Sequence, residues 1–149
     1  MMTMTKAIYF DMDGTIANFY GVPNWLEYLC ESNPYPYRMA QPLFNMNTLA
    51  RLLNRLQSEG WHIGIVSWLS KTGSDNFNTA TTKAKIEWLN RHLNSVHWDE
   101  VVIVPYGTPK HKVVEYAEGI LFDDEMPNRV NWTGIAYDVN NIIDILKTL

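Results

Sequence analysis

The chain has 149 residues, of which 46% are hydrophobic and 19% are charged, the size and apolar content of one compact domain with a sizeable core. A formal net charge of −4 and a sequence pI near 5.5 provide no basic field, which argues against general affinity for duplex nucleic acid or for an anionic membrane surface. The single cysteine, Cys30, excludes an internal disulfide framework and a four-cysteine zinc site.

The same features predict a cytoplasmic protein. A free thiol suits a reducing compartment. The N-terminal segment runs into an acidic cluster at Asp11 instead of a long apolar stretch with a cleavage site, so we predict no signal peptide. No run approaches the roughly 18 apolar residues that a membrane span requires. We expect one domain over residues 1–149, whose oligomeric state the sequence does not determine.

Apolar patterning predicts strands that alternate with helices. The first strand, residues 7–10, ends in Asp-Met-Asp-Gly-Thr, a polar turn whose glycine favours a sharp change of direction. Apolar residues at near-helical spacing predict a helix over 45–59, with Gly60 as its stop. The remaining predicted elements are strands at 62–66, closed by Ser67, and at 101–104, 120–122 and 135–139, and helices at 79–93, 110–117 and 142–146. This alternation predicts a parallel sheet covered by helices on both faces.

The predicted helix over residues 79–93 is amphipathic. Its spacing directs Ile86, Leu89 and Leu93 inward and leaves several basic residues for the outer face.

The segment 19–44 interrupts the alternation of strands and helices. It contains Pro23, Pro34, Pro36 and Pro42, and aromatic residues that include Trp25, Tyr28, Tyr35, Tyr37 and Phe44. We interpret it as a small helical and aromatic cap, inserted after the first strand and lying over the loop face of the sheet. The alternative is a long surface loop, but leaving so many aromatic rings in water would be unfavourable.

Polar residues follow four of the predicted strands or lie just beyond them. These are Asp11 with Asp13, then Ser67, then Lys110 or Lys112, and finally Asp123 with Asp124. The carboxyl ends of the strands are where an open parallel sheet binds its ligands. Four carboxylates that converge there would repel one another unless cations balance them. Mg²⁺, which prefers oxygen ligands, and a lysine would supply that balance.

Each of these clusters has an ordinary structural explanation when taken alone. An Asp-x-Asp pair also occurs in turns, in helix caps and in glycosyltransferase-like metal motifs. An Asp-Asp pair is often a solvated turn, a serine after a strand usually caps a helix, and a loop lysine is usually surface charge. The functional interpretation depends on the order of the clusters and on their shared placement.

That combination resembles the haloacid dehalogenase superfamily of hydrolases, over a stretch from about Lys6 to Asp124. The segment 9–15, Tyr-Phe-Asp-Met-Asp-Gly-Thr, is similar to the first motif of the superfamily almost letter for letter. Val66-Ser67 resembles the second motif, Lys110 the third, and Phe122-Asp123-Asp124 the fourth. The resemblance implies an α/β fold, a three-layer Rossmann-like parallel sheet with a small cap insert after strand 1.

Within the superfamily the chain looks most similar to the 5'(3')-deoxyribonucleotidases and their bacterial and phage relatives. The grounds are its small size, the short insert after the first motif, the Asp-Asp form of the fourth motif, and Gly107-Thr108-Pro109-Lys110 close upstream of it. One departure is Trp68, which follows Ser67 where many relatives have a small residue.

The resemblance implies a phosphomonoester hydrolase that works through an aspartyl-phosphate intermediate. Asp11 would be the nucleophile, and Asp13 would protonate the leaving oxygen and later accept a proton from the attacking water. Mg²⁺ would bind a carboxylate oxygen of Asp11, the backbone carbonyl of Asp13 and Asp124. Asp123 would support this shell, and which of the two adjacent aspartates binds the metal directly is left open.

The remaining motif residues would bind the phosphoryl group. Ser67 and Lys110 would hold its oxygens, and Gly14 would let the backbone turn so that nearby amides face the phosphate. Lys112 is an alternative to Lys110 for the lysine role.

The implied substrate is a small phosphate ester, in the closest subgroup a nucleoside monophosphate and more specifically a deoxynucleotide. Candidates to stack on its base are Trp25, Tyr28, Phe44 and Trp68. Each ring could instead serve only to attach the cap to the core.

Three other functions compete with this one. A response-regulator receiver domain also combines acidic residues, a Ser or Thr and a lysine on a parallel sheet, but its acidic pair follows the first strand, whereas the adjacent pair here follows the lysine. The chain could also be a catalytically silent scaffold, although every catalytic residue type is in place. A phosphatase of the same superfamily that acts on a non-nucleotide ester is the third.

Overall fold

The computed structural model describes residues 5–149. Residues 1–4, the start of the segment in which no signal peptide was predicted, lie outside the described residues. In chain order the elements are β1 (Ala7–Phe10), β2 (Ala17–Asn18), α1 (Trp25–Cys30), α2 (Tyr35–Met39), β3 (Gln41–Pro42), α3 (Met46–Ser58), β4 (His62–Trp68), α4 (Asp75–His92), β5 (Glu100–Val104), β6 (Ile120–Phe122), α5 (Met126–Asn131), β7 (Ile135–Tyr137) and α6 (Ile142–Lys147). None of the helices in residues 5–149 is long and apolar enough to cross a bilayer.

The main sheet has five parallel strands in the order β5-β4-β1-β6-β7, which makes β1 its central strand. Phe10, the last residue of β1, is in register with Ile65 of β4 and Phe122 of β6. The backbone N–H of Asp11 then donates to the carbonyl of Phe122 at 2.9 Å. The first aspartate therefore follows the centre of the sheet directly, with β4 on one side and β6 on the other.

Both faces of the sheet are buried, which explains why β1 is a continuous apolar run rather than an alternating one. Ile8 and Phe10 belong to a core shared with α3, α4 and α6, because successive side chains point to opposite faces. Ala7 and Tyr9 belong to a second core with Leu121 and Trp132. The predicted α/β fold, a Rossmann-like parallel sheet with an insert after its first strand, is confirmed.

Helix α3 shows how local sequence fixes an element beside the site. The Asn45 side chain caps it by accepting a hydrogen bond from the N–H of Thr48 at 3.0 Å. Its inner face consists of Leu49, Leu53 and Leu56, all fully buried. Burying one such side chain contributes about 1.5–3 kcal/mol. The helix ends before Gly60, whose φ of +96° suits the residue after a helix terminus.

The insert leaves the sheet through a short antiparallel ladder. Strands β2 and β3 pair through Ala17 with Pro42 and Asn18 with Gln41, so the two ends of the insert lie together. Between them lie a 3₁₀ turn at Phe19–Gly21 and the helices α1 and α2. A small buried cluster joins the insert to α4; it contains Phe19, Tyr37, Phe77 and Ala84.

Several predicted boundaries differ from the structure. Strand β4 continues to Trp68, so Ser67 lies within the strand instead of closing it. The predicted helix over 110–117 is only a 3₁₀ turn at Lys110–Lys112, because Val113, Val114 and Ala117 pack directly on the sheet. The strand predicted over 135–139 ends at Tyr137, and helix α5 was not predicted.

The orientation predicted for the helix over 79–93 is wrong in part. Helix α4 begins at Asp75, where Ser74 accepts a hydrogen bond from the N–H of Phe77. Leu89 and Leu93 are buried as predicted, but Ile86 is 43% exposed. The buried face consists of Phe77, Thr81, Ala84, Lys85, Trp88 and Leu89. A lysine assigned to the outer face therefore points into the protein.

Candidate active site

A tight loop after β1 presents the first two aspartates. The carbonyl of Met12 accepts hydrogen bonds from the three N–H groups of residues 15, 16 and 17, which turns the chain back toward β2. Gly14 has a φ of +81°, and a Cβ at this position would collide with the carboxylate of Asp124. The N–H of Gly14 donates to the carbonyl of Ala17 at 2.9 Å. Gly14 therefore shapes the loop, and its own amide is engaged by the carbonyl of Ala17.

Asp11 is 7% exposed and lies between two donors. Its Oδ1 accepts a hydrogen bond from Lys110 Nζ at 2.9 Å, and its Oδ2 accepts one from Thr15 Oγ1 at 3.0 Å. Burial alone would raise the pKa of this carboxyl, but the charge and hydrogen bond of Lys110 outweigh it and hold the pKa below the usual range. Asp11 is therefore ionised at neutral pH.

Asp123, after β6, anchors the same lysine. Its Oδ2 accepts hydrogen bonds from Lys110 Nζ at 2.7 Å and from Asn128 Nδ2 at 3.2 Å. Its Oδ1 accepts the N–H of Glu125 at 2.9 Å. Burial and then the charge of Asp11 raise the pKa of Asp123 to about 6, against the opposing effect of Lys110. Both carboxylate oxygens are thus engaged by protein donors.

Asp124 has fewer protein partners than Asp123. Thr15 Oγ1 lies 3.5 Å from its Oδ1. Burial, followed by the charge of Asp11, raises the pKa of Asp124 to about 8. Carboxylate oxygens of Asp11, Asp123 and Asp124 lie within 4.8 Å of one another, close enough to bind one cation together.

Asp13 faces a different cation, which sequence reasoning missed. Its Oδ2 accepts a hydrogen bond from Lys85 Nζ at 2.9 Å. The same ammonium donates to Ser67 Oγ at 2.6 Å and to the carbonyl of Trp68 at 2.8 Å. Burial raises the pKa of Asp13, and the charge of Lys85 offsets this only in part. The pKa of Asp11 is therefore lowered and that of Asp13 raised, although both belong to the same loop.

The two lysines near residue 110 differ in placement. Lys110 is buried and contacts Asp11 and Asp123, whereas Lys112 is exposed. The ring of Trp68 lies over the Lys110 ammonium, 5.4 Å from Nζ to the ring centroid. Its own Nε1 donates to the carbonyl of Thr108 at 2.7 Å, which fixes the indole beside the site.

A cleft opens onto these groups, with Asp11, Asp13 and Lys110 among the residues that line it. Its aromatic walls come from the insert, from the end of β4 and from the loop after β5; they are Phe19, Tyr20, Trp25, Tyr37, Trp68 and Tyr106. Leu29 of α1 and Lys71 of the loop after β4 also line the cleft.

Two of the four aromatic residues proposed to bind a base line this cleft, and two lie elsewhere. Trp25 and Trp68 are in its walls. Tyr28 instead packs on Tyr35, with ring centroids 4.8 Å apart. Phe44 lines a separate cavity beside α6, together with Gly14. Tyr28 is held away by its partner ring and Phe44 by its contact with the main core, so neither is retained as a base-binding residue.

Comparison with known proteins gives matches in structure alone, since no family model and no curated protein sequence matches the chain. The D,D-heptose 1,7-bisphosphate phosphatase from B. bronchiseptica, solved with magnesium and phosphate, is 17% identical with a TM-score of 0.59, and the match covers 88% of this chain and 78% of that one. The same enzyme from Burkholderia thailandensis is 15% identical with a TM-score of 0.52 over 87% of this chain and 74% of that one.

A chain of the Pnkp1/Rnl/Hen1 complex is also similar, at 17% identity and a TM-score of 0.56. That match covers 92% of this chain but only 46% of the other, so this chain spans less than half of it. At these identities the three structures establish a shared fold.

Proposed function

We propose that this protein is a Mg²⁺-dependent phosphomonoester hydrolase of the haloacid dehalogenase type, acting through an aspartyl-phosphate on Asp11. The observation that carries the proposal is that Asp11 and Asp13 line one cleft and contact different ammonium groups, Asp11 that of Lys110 and Asp13 that of Lys85, each at 2.9 Å. The directions of their pKa shifts, down for Asp11 and up for Asp13, agree with a division into nucleophile and proton donor. The sequence motifs and the fold shared with two phosphatases support the same assignment.

The reaction proceeds in two displacements at phosphorus. The ionised carboxylate of Asp11 attacks phosphorus, the bond from phosphorus to the ester oxygen breaks, and Asp13 gives its proton to the departing oxygen. Water then attacks the aspartyl-phosphate and gives a proton to Asp13, which releases inorganic phosphate and restores the Asp11 carboxylate. Asp13 thus ends protonated, as it began.

The donor set fits a magnesium ion. Four carboxyl groups face two ammonium groups here, so the cluster is short of positive charge whenever more than two of the carboxyl groups are ionised; the six residues are Asp11, Asp13, Asp123, Asp124, Lys85 and Lys110. We assign Asp11 and Asp124 as direct carboxylate ligands, together with the Asp13 carbonyl. The oxygens of Asp123 accept hydrogen bonds from the Lys110 ammonium, the Asn128 amide and the N–H of Glu125. Oδ2 of Asp11 instead accepts only from the Thr15 hydroxyl, which can rotate to make way for a cation. When bound, Mg²⁺ would neutralise charge on the carboxylates and the phosphoryl oxygens.

Lys110 and Ser67 remain the proposed phosphate ligands. Lys110 lines the cleft beside the nucleophile, where its charge offsets that of an incoming phosphoryl group. Ser67 Oγ already accepts a hydrogen bond from Lys85, so what it can offer a phosphoryl oxygen is its own hydroxyl proton.

For the substrate we propose a nucleoside monophosphate, and more specifically a deoxynucleotide, in a cytosolic enzyme. Trp25 and Trp68 provide flat apolar faces in the cleft wall, and stacking of a base on such a face is worth about 1–3 kcal/mol. A sugar phosphate is the second candidate, because two structures of similar fold are phosphatases of a heptose bisphosphate.

The test is a Mg²⁺-dependent screen of phosphate esters that measures release of inorganic phosphate, with Asp11→Asn as the control. We expect turnover in the wild type, none in Asp11→Asn and none in a chelator. Wild-type rates in the variant would exclude Asp11 as the nucleophile. Stable phosphorylation by acetyl phosphate without turnover would instead favour a receiver-like signalling domain. If nucleotides are used no better than sugar phosphates, the nucleotidase assignment falls and the phosphatase assignment remains.

A further inference from the structure

We infer that Lys85 is a positioning residue for Asp13: it holds one carboxylate oxygen of the proton donor so that the other faces the departing group. The inference rests on the proposed function, since it concerns the proton transfer in that reaction. Lys85 belongs to none of the sequence motifs, and it reaches Asp13 from helix α4, outside the loop that carries both aspartates.

All three N–H donors of the Lys85 ammonium have an acceptor within the protein. A lysine ammonium has three N–H donors. In this structure Nζ meets three acceptors at hydrogen-bond distance: Asp13 Oδ2 at 2.9 Å, Ser67 Oγ at 2.6 Å and the Trp68 carbonyl at 2.8 Å. The side chain is fully buried, so water does not compete for these donors. Lys85 therefore has no donor left for a phosphoryl oxygen and acts through the groups that it contacts.

Two of these acceptors belong to β4, which gives the ammonium a rigid support. Ser67 and Trp68 are the last two residues of that strand, and both are paired in register with β5. The ring of Tyr37, from the insert, lies over the same ammonium at 5.0 Å from Nζ to the centroid. Lys85 is thus held by the sheet on one side and by the insert on the other.

The consequence for Asp13 is a distinction between its two oxygens. Oδ2 accepts the Lys85 hydrogen bond, and an oxygen that accepts from an ammonium is the poorer place for a proton. Oδ1 is then the oxygen that carries the transferred proton, and the side chain of Asp13 is 19% exposed where it borders the cleft. Without Lys85 the carboxyl could rotate and present either oxygen, protonated or not.

The first test is Lys85→Met, which keeps an unbranched side chain of similar bulk but removes its charge and donors. The readout is kcat/KM, which reports the steps up to departure of the leaving group, for p-nitrophenyl phosphate and for an alkyl phosphate. A nitrophenolate leaves without a proton, whereas an alkoxide needs one, and proton donation is worth about 10²–10⁴-fold. We expect a loss of about 100-fold on the alkyl ester and less than about fivefold on the nitrophenyl ester.

The matched control is Lys83→Met, which removes an exposed lysine from the same helix and should change neither rate. A thermal unfolding curve is recorded for both variants. Equal losses on the two esters in Lys85→Met would overturn the inference, because they would indicate general damage. If the wild type itself turned over neither ester, the proposed function would fail, and this inference with it.

A second comparison covers the case in which Lys85→Met fails to fold because it leaves the acceptors of the Lys85 ammonium without their donor. The double variant Asp13→Asn/Lys85→Met changes both members of the Lys85–Asp13 hydrogen bond, and it is compared with Asp13→Asn alone. If Lys85 acts through Asp13, adding Lys85→Met should change the alkyl ester rate less than about threefold, because interacting residues are not additive. A further loss of about 100-fold on the Asp13→Asn background would contradict a role through Asp13.

Discussion

The ammonium of Lys110 lies 2.9 Å from Oδ1 of Asp11, and both side chains are almost completely buried. Lys110 comes from a 3₁₀ turn far along the chain, so the fold brings a cation to the end of the central strand. The lysine lowers the pKa of a carboxyl whose burial would otherwise raise it. This contact is what keeps the proposed nucleophile ionised.

Replacing Lys110 should therefore disable the nucleophile as well as phosphate binding. In Lys110→Met, burial without the compensating charge should raise the pKa of Asp11. We expect kcat/KM at pH 7 to fall by at least about 100-fold, since loss of one electrostatic donor in an active site typically costs about 10²–10³-fold. Lys112→Met, which removes an exposed lysine two residues away, should have little effect. Comparable losses in the two variants would contradict the assignment of Lys110.

Gly14→Ala should weaken magnesium binding. The new Cβ would collide with the Asp124 carboxylate, and the φ of +81° is unfavourable for alanine. Gly60→Ala is the matched control, because Gly60 also has a positive φ, of +96°, but no atom in residues 5–149 lies within 4 Å of its added Cβ. Both variants should lose stability, but only Gly14→Ala should lose Mg²⁺ affinity in calorimetry. An unchanged affinity in Gly14→Ala would argue against Asp124 as a ligand.

Magnesium affinity should rise with pH. In the metal-free protein the pKa of Asp124 is about 8 and that of Asp123 about 6, both raised mainly by burial. A raised pKa keeps a carboxyl protonated below that value, and the metal must displace the proton. Between pH 6 and pH 8 we expect affinity to increase by up to about tenfold per pH unit, with proton release on binding. The check is calorimetry in buffers of different ionisation enthalpy; an affinity independent of pH would contradict metal ligation by Asp124.

The raised pKa of Asp124 also makes the folding stability of the metal-free protein depend on pH. A carboxyl with a raised pKa binds its proton more tightly in the folded state than in the unfolded chain. The contribution of Asp124 to metal-free stability should thus fall as pH rises from about 4, the unfolded value, to about 8. Added Mg²⁺ should offset this loss in thermal unfolding curves, because it binds the ionised form.

Trp25→Ala and Tyr28→Ala test the aromatic wall within one helix. Trp25 lines the cleft, whereas Tyr28 packs against Tyr35. Loss of one stacking face is worth about 1–3 kcal/mol, so Trp25→Ala should lower kcat/KM for thymidine monophosphate by about tenfold. It should change kcat/KM for p-nitrophenyl phosphate much less. Tyr28→Ala should leave kcat/KM for both substrates nearly unchanged. Equal losses on both substrates in Trp25→Ala would indicate damage to the insert rather than lost stacking.

The alternation of strands and helices could be predicted because most strands are short apolar runs, but the order of the strands in the sheet was not predicted. Strand β1 was predicted to the residue, since both of its faces are buried and Asp11 interrupts the run. Helix α5 could not be predicted in the same way. It is a helix of only 6 residues, and its apolar residues Met126 and Val130 are largely exposed. It therefore lacks the apolar periodicity on which such a prediction depends.

Residues of the candidate site were predicted where they belong to a sequence motif. Lys85 was missed because only the tertiary structure brings it to the site. Lys85 falls in the stripe formed by Phe77, Thr81, Ala84 and Trp88, a spacing that could have identified it as inward-facing. The sequence analysis instead assigned Ile86 to the buried face of the helix, because a lysine is rarely buried without a partner. That partner, Asp13, is 72 residues away in the chain.

The central claim is that Asp11 carries the phosphoryl group during turnover. Borohydride reduces an acyl phosphate to an alcohol, so quenching the enzyme with borohydride during turnover should convert residue 11 to homoserine. Peptide mapping by mass spectrometry would locate the change, with Asp11→Asn and enzyme without substrate as controls. We predict modification at residue 11 that depends on substrate. Substrate-dependent modification at Asp13, Asp123 or Asp124 instead, or none at any of these positions while phosphate is released, would contradict the mechanism.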